Sequence, residues 1–300
     1  MSLEMKVRIA KNSGFCFGVK RAINMALEAS NAHDNIVTLG PLIHNPQMVE
    51  RLKKAGINSV NSISEISNSP VIIRSHGVEK AVKDTLLKHG VHVIDATCPY
   101  VSKTQDYAKE LSENGYRVII YGDANHPEVI AMKSYVQGEA LIISHPEQLK
   151  NKKFQKVGVI SQTTRNSEEF RSLVCQLVPY CNELKIINTI CSATNIRQES
   201  TLVLAKISDL MIVIGGKNSS NTKMLANICQ NITETHHIET EQEIEASWFD
   251  KKENVGITAG ASTPDWIIVE VYNKIIECTG DKSRQVDKIE AIPGFKEERK

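Results

Sequence analysis

Three cysteines, Cys16, Cys98 and Cys191, are each followed by the same succession of features. Behind Cys16 come Phe17-Gly18-Val19-Lys20-Arg21 and a helical stretch. Behind Cys98 come Pro99-Tyr100-Val101-Ser102-Lys103 and a second, and behind Cys191 come Ser192-Ala193-Thr194-Asn195-Ile196-Arg197 and a third. Each helix leads into an apolar strand and a polar loop. His44 then lies 28 residues after Cys16, His126 28 after Cys98, and Ser219 28 after Cys191. A further strand and polar loop close each copy, reaching His76, Thr163 and Ser262 at offsets of 60, 65 and 71. Matching offsets with matching flanks predict three copies of one α/β unit around a pseudo-threefold axis. Ligands of open α/β sheets bind beyond the carboxyl ends of the strands. The arrangement therefore gathers three thiols, ringed by small polar side chains.

Three thiols without a fourth protein ligand suit a metal centre with one open position. Zinc is satisfied by three thiolates and one imidazole. A [4Fe–4S] cubane held by three cysteines leaves one iron free to act as a Lewis acid. His44, His76 and His126 each follow an apolar strand beside Pro or Gly, which reads as an anion or metal site. Ser219, Ser220, Asn221 and Ser262 fit the anion better, because hydroxyls, amides and helix N-terminal N–H groups cradle phosphate. Glu128, two residues after His126, can donate a proton if it is desolvated. The same position also suits a carboxylate that merely favours a helix N-terminus. The remaining cysteines, Cys175, Cys181, Cys229 and Cys278, are expected to pack in cores or lie on surfaces. His33, His89, His92, His145, His236 and His237 are expected at helix ends or in solvated linkers. On residues alone three readings stand: a redox metalloenzyme, a zinc hydrolase on two or three of the thiolates plus an imidazole with His126 and Glu128 nearby, and an inert phosphate-binding module with structural cysteines.

The elements that must position these residues alternate along the chain. Strands are predicted at 36–39, 71–74, 118–121, 157–161, 211–214 and 255–258. Helices are predicted at 19–30, 47–55, 79–89, 103–114, 167–178, 196–207 and 264–278. This is an α/β pattern with parallel strands, each a continuous apolar run. The expected organisation is a first α/β unit at 1–97, a second at 98–190, a third at 191–280 and a polar tail at 281–300.

Composition narrows the function. Basic and acidic residues number 36 and 35, net +1, which shows no basic excess for nucleic acid. The longest strictly apolar run, Leu210–Ile214, is far short of the roughly 20 residues that span a bilayer. No secretory signal follows Met1, and seven widely spaced cysteines make no disulfide framework, so the chain reads as cytoplasmic. Neither a Walker A pattern nor a dinucleotide fingerprint is present.

The segments Gly14–Val19, Gly40–Asn45, Ser75–Val78, Asp95–Pro99, His126–Val129, Ser161–Thr164, Asn218–Asn221 and Thr258–Ser262 together resemble the LytB-type 4-hydroxy-3-methylbut-2-enyl diphosphate reductases. The resemblance runs from about residue 6 to 280. It implies a trefoil of three similar α/β domains around one central [4Fe–4S] cluster held by Cys16, Cys98 and Cys191. It implies that His44, His76, His126, Thr163, Ser219, Ser220, Asn221 and Ser262 bind an allylic diphosphate, and that Glu128, with Thr163, relays protons. The implied reaction is the last step of the non-mevalonate isoprenoid pathway. 4-Hydroxy-3-methylbut-2-enyl diphosphate is reductively dehydroxylated to isopentenyl and dimethylallyl diphosphate, with electrons from a carrier such as flavodoxin or ferredoxin. No nucleic acid or membrane partner is implied.

Overall fold

The computed structural model describes residues 5–33, 35–66, 69–149, 152–279 and 287–288. The expected tail at 281–300 lies outside the described residues except for 287–288. The chain opens with β1 (Lys6–Ile9) and α1 (Phe17–Ala32). It continues through β2 (Val37–Leu39), α2 (Pro46–Lys54), β3 (Asn58–Val60), β4 (Val71–Ile73), α3 (Lys80–Lys88) and β5 (Val93–Asp95). A second stretch holds α4 (Pro99–Glu113), β6 (Arg117–Tyr121), α5 (Pro127–Ser134), β7 (Leu141–Ile143), β8 (Phe154–Ser161), α6 (Ser167–Leu177) and β9 (Cys181–Ile186). A third holds α7 (Ser192–Ala205), β10 (Leu210–Ile214), α8 (Ser220–Gln230), β11 (Glu234–Ile238), β12 (Asn254–Ala259), α9 (Asp265–Thr279) and β13 (Asp287–Lys288).

Every strand pairing is parallel, and three sheets repeat one order: β3-β2-β4-β5, β7-β6-β8-β9 and β11-β10-β12-β1, the last carrying β13 at its edge. Parallel sheets bury both faces beneath helices, which is why their strands read as apolar runs. All five residues of β10 are buried. The three cores are built mainly from Ile, Val and Leu, such as Ile212 and Ile257 in one, Ile119 and Val159 in another, and Val71 and Ile73 in the third.

One strand departs from the expected order. β1, expected within 1–97, pairs with β12, Lys6 opposite Asn254 and Ile9 opposite Ile257. The fourth strand of each sheet thus leads by a short connection to a cysteine: β5 to Cys98, β9 to Cys191 and β1 to Cys16. The cysteine is the hinge between repeats rather than the start of one. The chain folds as two compact units, Phe17–Ser192 with the first two sheets, and the residues up to Cys16 with those from Ala193 onward. Helices α5 and α8, outside the predicted helix ranges, follow the polar loops directly. Their signals were local: Pro127 sits at the first helical position of α5, and Ser219 caps α8. His236 and His237, expected in a solvated linker, lie in β11. There the His236 ring stacks on Trp248 with centroids 3.8 Å apart, and His237 Nε2 lies 2.9 Å from the Gly215 carbonyl.

Candidate functional site

In each sheet the chain leaves the first-formed strand toward one edge and returns on its other side. The carboxyl ends of β2 and β4, of β6 and β8, and of β10 and β12 therefore flank three topological switch points, where open α/β sheets bind ligands. The pairings Leu39–Ile73, Tyr121–Ser161 and Ile214–Ala259 close these strands. Each first strand is followed by a glycine, Gly40, Gly122 or Gly215, and four residues after the glycine come His44, His126 and Ser219. A helix starts there every time. Asn45 caps α2 through its side chain to Met48 N–H, His126 caps α5 to Glu128 N–H, and Ser219 caps α8 to Thr222 N–H. Three helix N-termini, each the positive end of a helix dipole, thus stand at the switch points.

The cysteines are tied to the same loops by one repeated bond. Cys98 N–H donates to the Ser75 carbonyl at 2.9 Å, Cys191 N–H to Thr163 at 3.0 Å and Cys16 N–H to Ala261 at 3.1 Å. Register and bond together make Ser75, Thr163 and Ala261 equivalent. His76 therefore corresponds to Thr164 and Ser262, one residue off the alignment that matched it to Thr163. All three cysteines are half-buried and directly precede helices α1, α4 and α7. In the unit of residues 17–192, Tyr100 Oη and Ser192 Oγ, just beyond Cys98 and Cys191, lie 3.4 Å apart.

The same unit brings the three histidines together. Ring centroids are 4.3 Å apart for His44 and His76, and 5.6 Å apart for His126 with either. One ring nitrogen from each lies within 4.8 Å of the others, close enough to share a metal ion. The tautomer of His126 argues for an anion instead. Its Nδ1 accepts from Glu128 N–H at 3.2 Å, so the proton of the neutral ring sits on Nε2. That nitrogen is a donor, and it could ligate a metal only as an imidazolate. Burial, followed by the charge of Arg74, lowers the pKa of His44. Burial and then the neighbouring His44, His126 and Arg74 charges hold His76 well below the usual histidine range. Burial first, then the neighbouring charges of His44, Arg74 and Arg165, opposed by Asp123, pulls His126 down to about 4. The cluster is neutral at pH 7, a set of imidazoles without their own charge.

Glu128, the second residue of α5, is 1% exposed. Burial pushes its carboxyl up to about 7, although Thr163 donates its N–H at 2.7 Å and its hydroxyl at 2.9 Å to the two oxygens. Both hydrogen bonds favour the anion, yet desolvation outweighs them. The result is a carboxyl that is half protonated near neutral pH, the condition for a general acid. The reading of Glu128 as a plain helix-terminal charge does not account for this burial.

In the other compact unit, Ser219, Asn221 and Ser262 are buried and Ser220 opens α8 half-buried. Both polar atoms of the Asn221 amide are buried and make no hydrogen bond. A buried amide left without partners costs roughly 1–3 kcal/mol, so Asn221 is held for something outside the fold. Gly215 at φ +144° and Gly260 leave space that a Cβ would fill at 2.6 Å and 2.1 Å from the Thr263 and Thr222 hydroxyls. Sequence reasoning singled out neither Gln162, whose Oε1 accepts from Asp123 N–H at 3.1 Å, nor Arg74. Their signal was a polar residue directly behind a buried strand and before a Ser-His or Thr-Thr pair. Cys229 is buried in α8 with its thiol pushed up to about 12, while Cys175 is exposed on α6. No helix among the described residues is long and apolar enough to cross a membrane.

Residues 7–276 match the family described as LytB protein. The 4-hydroxy-3-methylbut-2-enyl diphosphate reductase of Geobacter sulfurreducens is 46% identical over 280 residues, 93% of this chain and 99% of that one. The enzyme of the same name from Trichlorobacter lovleyi is 47% identical over 273 residues, 90% and 98% of the two chains. A solved (E)-4-hydroxy-3-methyl-but-2-enyl diphosphate reductase, described as the terminal enzyme of the non-mevalonate pathway, superposes with a TM-score of 0.68 at 44% identity. It spans 91% of this chain and 99% of its own. The solved E-1-hydroxy-2-methyl-but-2-enyl-4-diphosphate reductase of Plasmodium falciparum gives a TM-score of 0.86 at 25% identity, over 91% and 88%.

Proposed function

The chain belongs to the LytB protein family, and from that premise we propose that it reduces 4-hydroxy-3-methylbut-2-enyl diphosphate to isopentenyl and dimethylallyl diphosphate. The family is an iron–sulfur one, and the finer reading is a single [4Fe–4S] cluster on Cys16, Cys98 and Cys191 within a pseudo-threefold trefoil. Three half-buried thiols at helix N-termini, each hooked to a switch-point loop by the same backbone bond, fit that group. When bound, the cluster supplies single electrons and, at the iron without a cysteine, a Lewis acid for the substrate hydroxyl. The overall change consumes two electrons and two protons. One proton leaves with the hydroxyl as water, and the other forms the new C–H bond at either end of the allyl group. The electrons come from a carrier such as flavodoxin or ferredoxin.

The protein's own residues do the rest. His44, His76, His126, Ser219, Ser220, Asn221 and Ser262 bind the diphosphate as neutral donors, and the helix N-termini add their N–H groups. Diphosphate binding, remote from the reacting carbon, provides energy to orient it. Glu128 holds the proton. When it is protonated, its O–H donates to Thr163 Oγ, and the Thr163 hydroxyl proton turns toward the substrate. The buried Glu128–Thr163 pair carries this reading against an inert phosphate binder, which has no use for a carboxyl raised to about 7 there, while the His126 tautomer, with a donor at Nε2, speaks against a zinc hydrolase.

The test is anaerobic isolation followed by supply of a reduced carrier and substrate. Iron and sulfide in equal amounts, with two five-carbon diphosphates as products, are expected. Zinc without sulfide, or hydrolysis of the diphosphate, would overturn the proposal.

Asn221→Ala is expected to act in opposite directions on binding and stability. It removes an amide that the folded protein leaves without partners, so unfolding should shift upward by up to about 1 kcal/mol. The KM for substrate should rise roughly tenfold, and kcat should change little. Denaturant unfolding and steady-state kinetics of the same preparation check both signs.

A further inference from the structure

The switch point between β2 and β4 holds a cation to which the reaction gives no task. Arg74 follows β4 directly and precedes Ser75 and His76. A Cβ on Gly40 would lie 2.7 Å from Arg74 Nη1 and 3.3 Å from its Cζ, so the guanidinium lies against the backbone that leads to His44. Gly40 is at φ +72°, a conformation that suits glycine and keeps this face open. Arg74 Nε–H donates to the Gly77 carbonyl at 3.3 Å, and Gly77 N–H donates to the Arg74 carbonyl at 2.9 Å. The turn that carries His76 is thus closed at both ends by one residue. That residue also touches the loop that carries His44.

Among the described residues Arg74 makes no ion pair, although Glu79 lines the same cavity, and burial lowers the pKa of the guanidinium. A half-buried cation without a counter-charge is costly unless an anion comes to it. Register sets Arg74 level with Gln162 and Gly260 at the other two switch points, both neutral. The three histidines beside it are neutral as well. The remaining charges that reach them are Arg165 and Asp123, which act in opposite directions on His126.

We propose that Arg74 is a positioning residue for the diphosphate. It ties the His44 loop to the His76 turn and supplies the full positive charge that the neutral histidines lack. The inference rests on the reading of this pocket as a diphosphate site.

The test compares Arg74→Met, Arg74→Gln and Arg74→Lys with the parent protein, all with cluster content verified. Inorganic diphosphate binding is measured by calorimetry at low and high salt, alongside kcat and KM. Arg74→Met should weaken diphosphate binding roughly tenfold to a hundredfold, the value of one charged hydrogen bond. KM should rise in parallel, with kcat held within about threefold and the salt dependence reduced. Arg74→Gln keeps a donor for the turn, so it should fold even if the Met variant does not, and should show the same weakening. Arg74→Lys should recover most of the affinity. Unchanged binding in both neutral variants would overturn the role of Arg74 alone. A Lys variant as weak as the neutral ones would reduce that role to packing of the turn and overturn the charge assignment. A parent protein that turns over substrate but binds no diphosphate would remove the pocket reading itself.

Discussion

Glu128→Gln is expected to slow turnover at least about a hundredfold, the lower end for a lost general acid. Gln keeps the size of the side chain and can still accept from Thr163 N–H, but it holds no transferable proton. Substrate affinity should stay within about threefold, because the proposed diphosphate contacts are made by other side chains, and cluster content should be unchanged. The parent enzyme should lose activity as pH rises through about 7, where Glu128 gives up its proton. The variant's residual rate should not follow that titration. Stability should respond in the opposite sense. The folded pKa of Glu128 lies above its usual value of 4.5, so ionisation favours the unfolded chain, and stability is lost as pH rises from about 4.5 through about 7. Glu128→Gln should therefore unfold later than the parent at pH 8, by on the order of 2 kcal/mol, and with little difference at pH 4. Near-normal turnover with a raised KM would assign Glu128 to binding and remove it from proton transfer.

Cys98→Ser is expected to abolish both the cluster and turnover, with a loss of roughly a thousandfold or more, as when a Lewis-acid centre is removed. Cys16→Ser and Cys191→Ser should behave the same way, because each cysteine N–H makes the same bond to a switch-point loop. Serine preserves that backbone bond, so the fold and diphosphate binding should survive while the iron is lost. Cys175→Ser, on the exposed face of α6, should leave both cluster and rate unchanged. Metal analysis, visible absorbance and activity of anaerobic preparations read all of these outcomes. A Cys98→Ser protein with a complete, active cluster would sink the assignment.

The equivalent positions of the candidate site were legible in the sequence because the repeat spacing carries them. His44, His126 and Ser219 stand five residues beyond their strands as well as 28 beyond their cysteines, so counting alone found equivalent positions. Glu128 needed more. Its two roles, proton donor and helix-terminal charge, differ only in burial, which spacing does not encode. The expected boundary at 1–97 missed the pairing of β1 with β12, because parallel partners distant in sequence leave no local pattern. The predicted strands β2, β4, β6, β8, β10 and β12 are the inner ones of their sheets, whereas outer strands such as β3, β5 and β9 are less buried and lack the continuous apolar run. Arg74 read as the polar end of a strand, since the close approach to Gly40 appears only when β2 and β4 lie side by side.

The pairing of β1 with β12 also sets the order of events as the chain is made. β1 leaves the ribosome early, but Lys6 finds its partner Asn254 only when almost 250 further residues have followed. The sheets of β2–β5 and β6–β9 close through strands that are near in sequence, whereas the third must wait for the longest loop closure in the molecule. Cys16 arrives with β1, and its N–H reaches Ala261 only after that closure. On the proposed assignment of Cys16, Cys98 and Cys191 to one cluster, a nascent or partly folded chain therefore cannot offer the complete ligand set. Cluster insertion should come last, as a checkpoint that a finished fold passes and a truncated one does not.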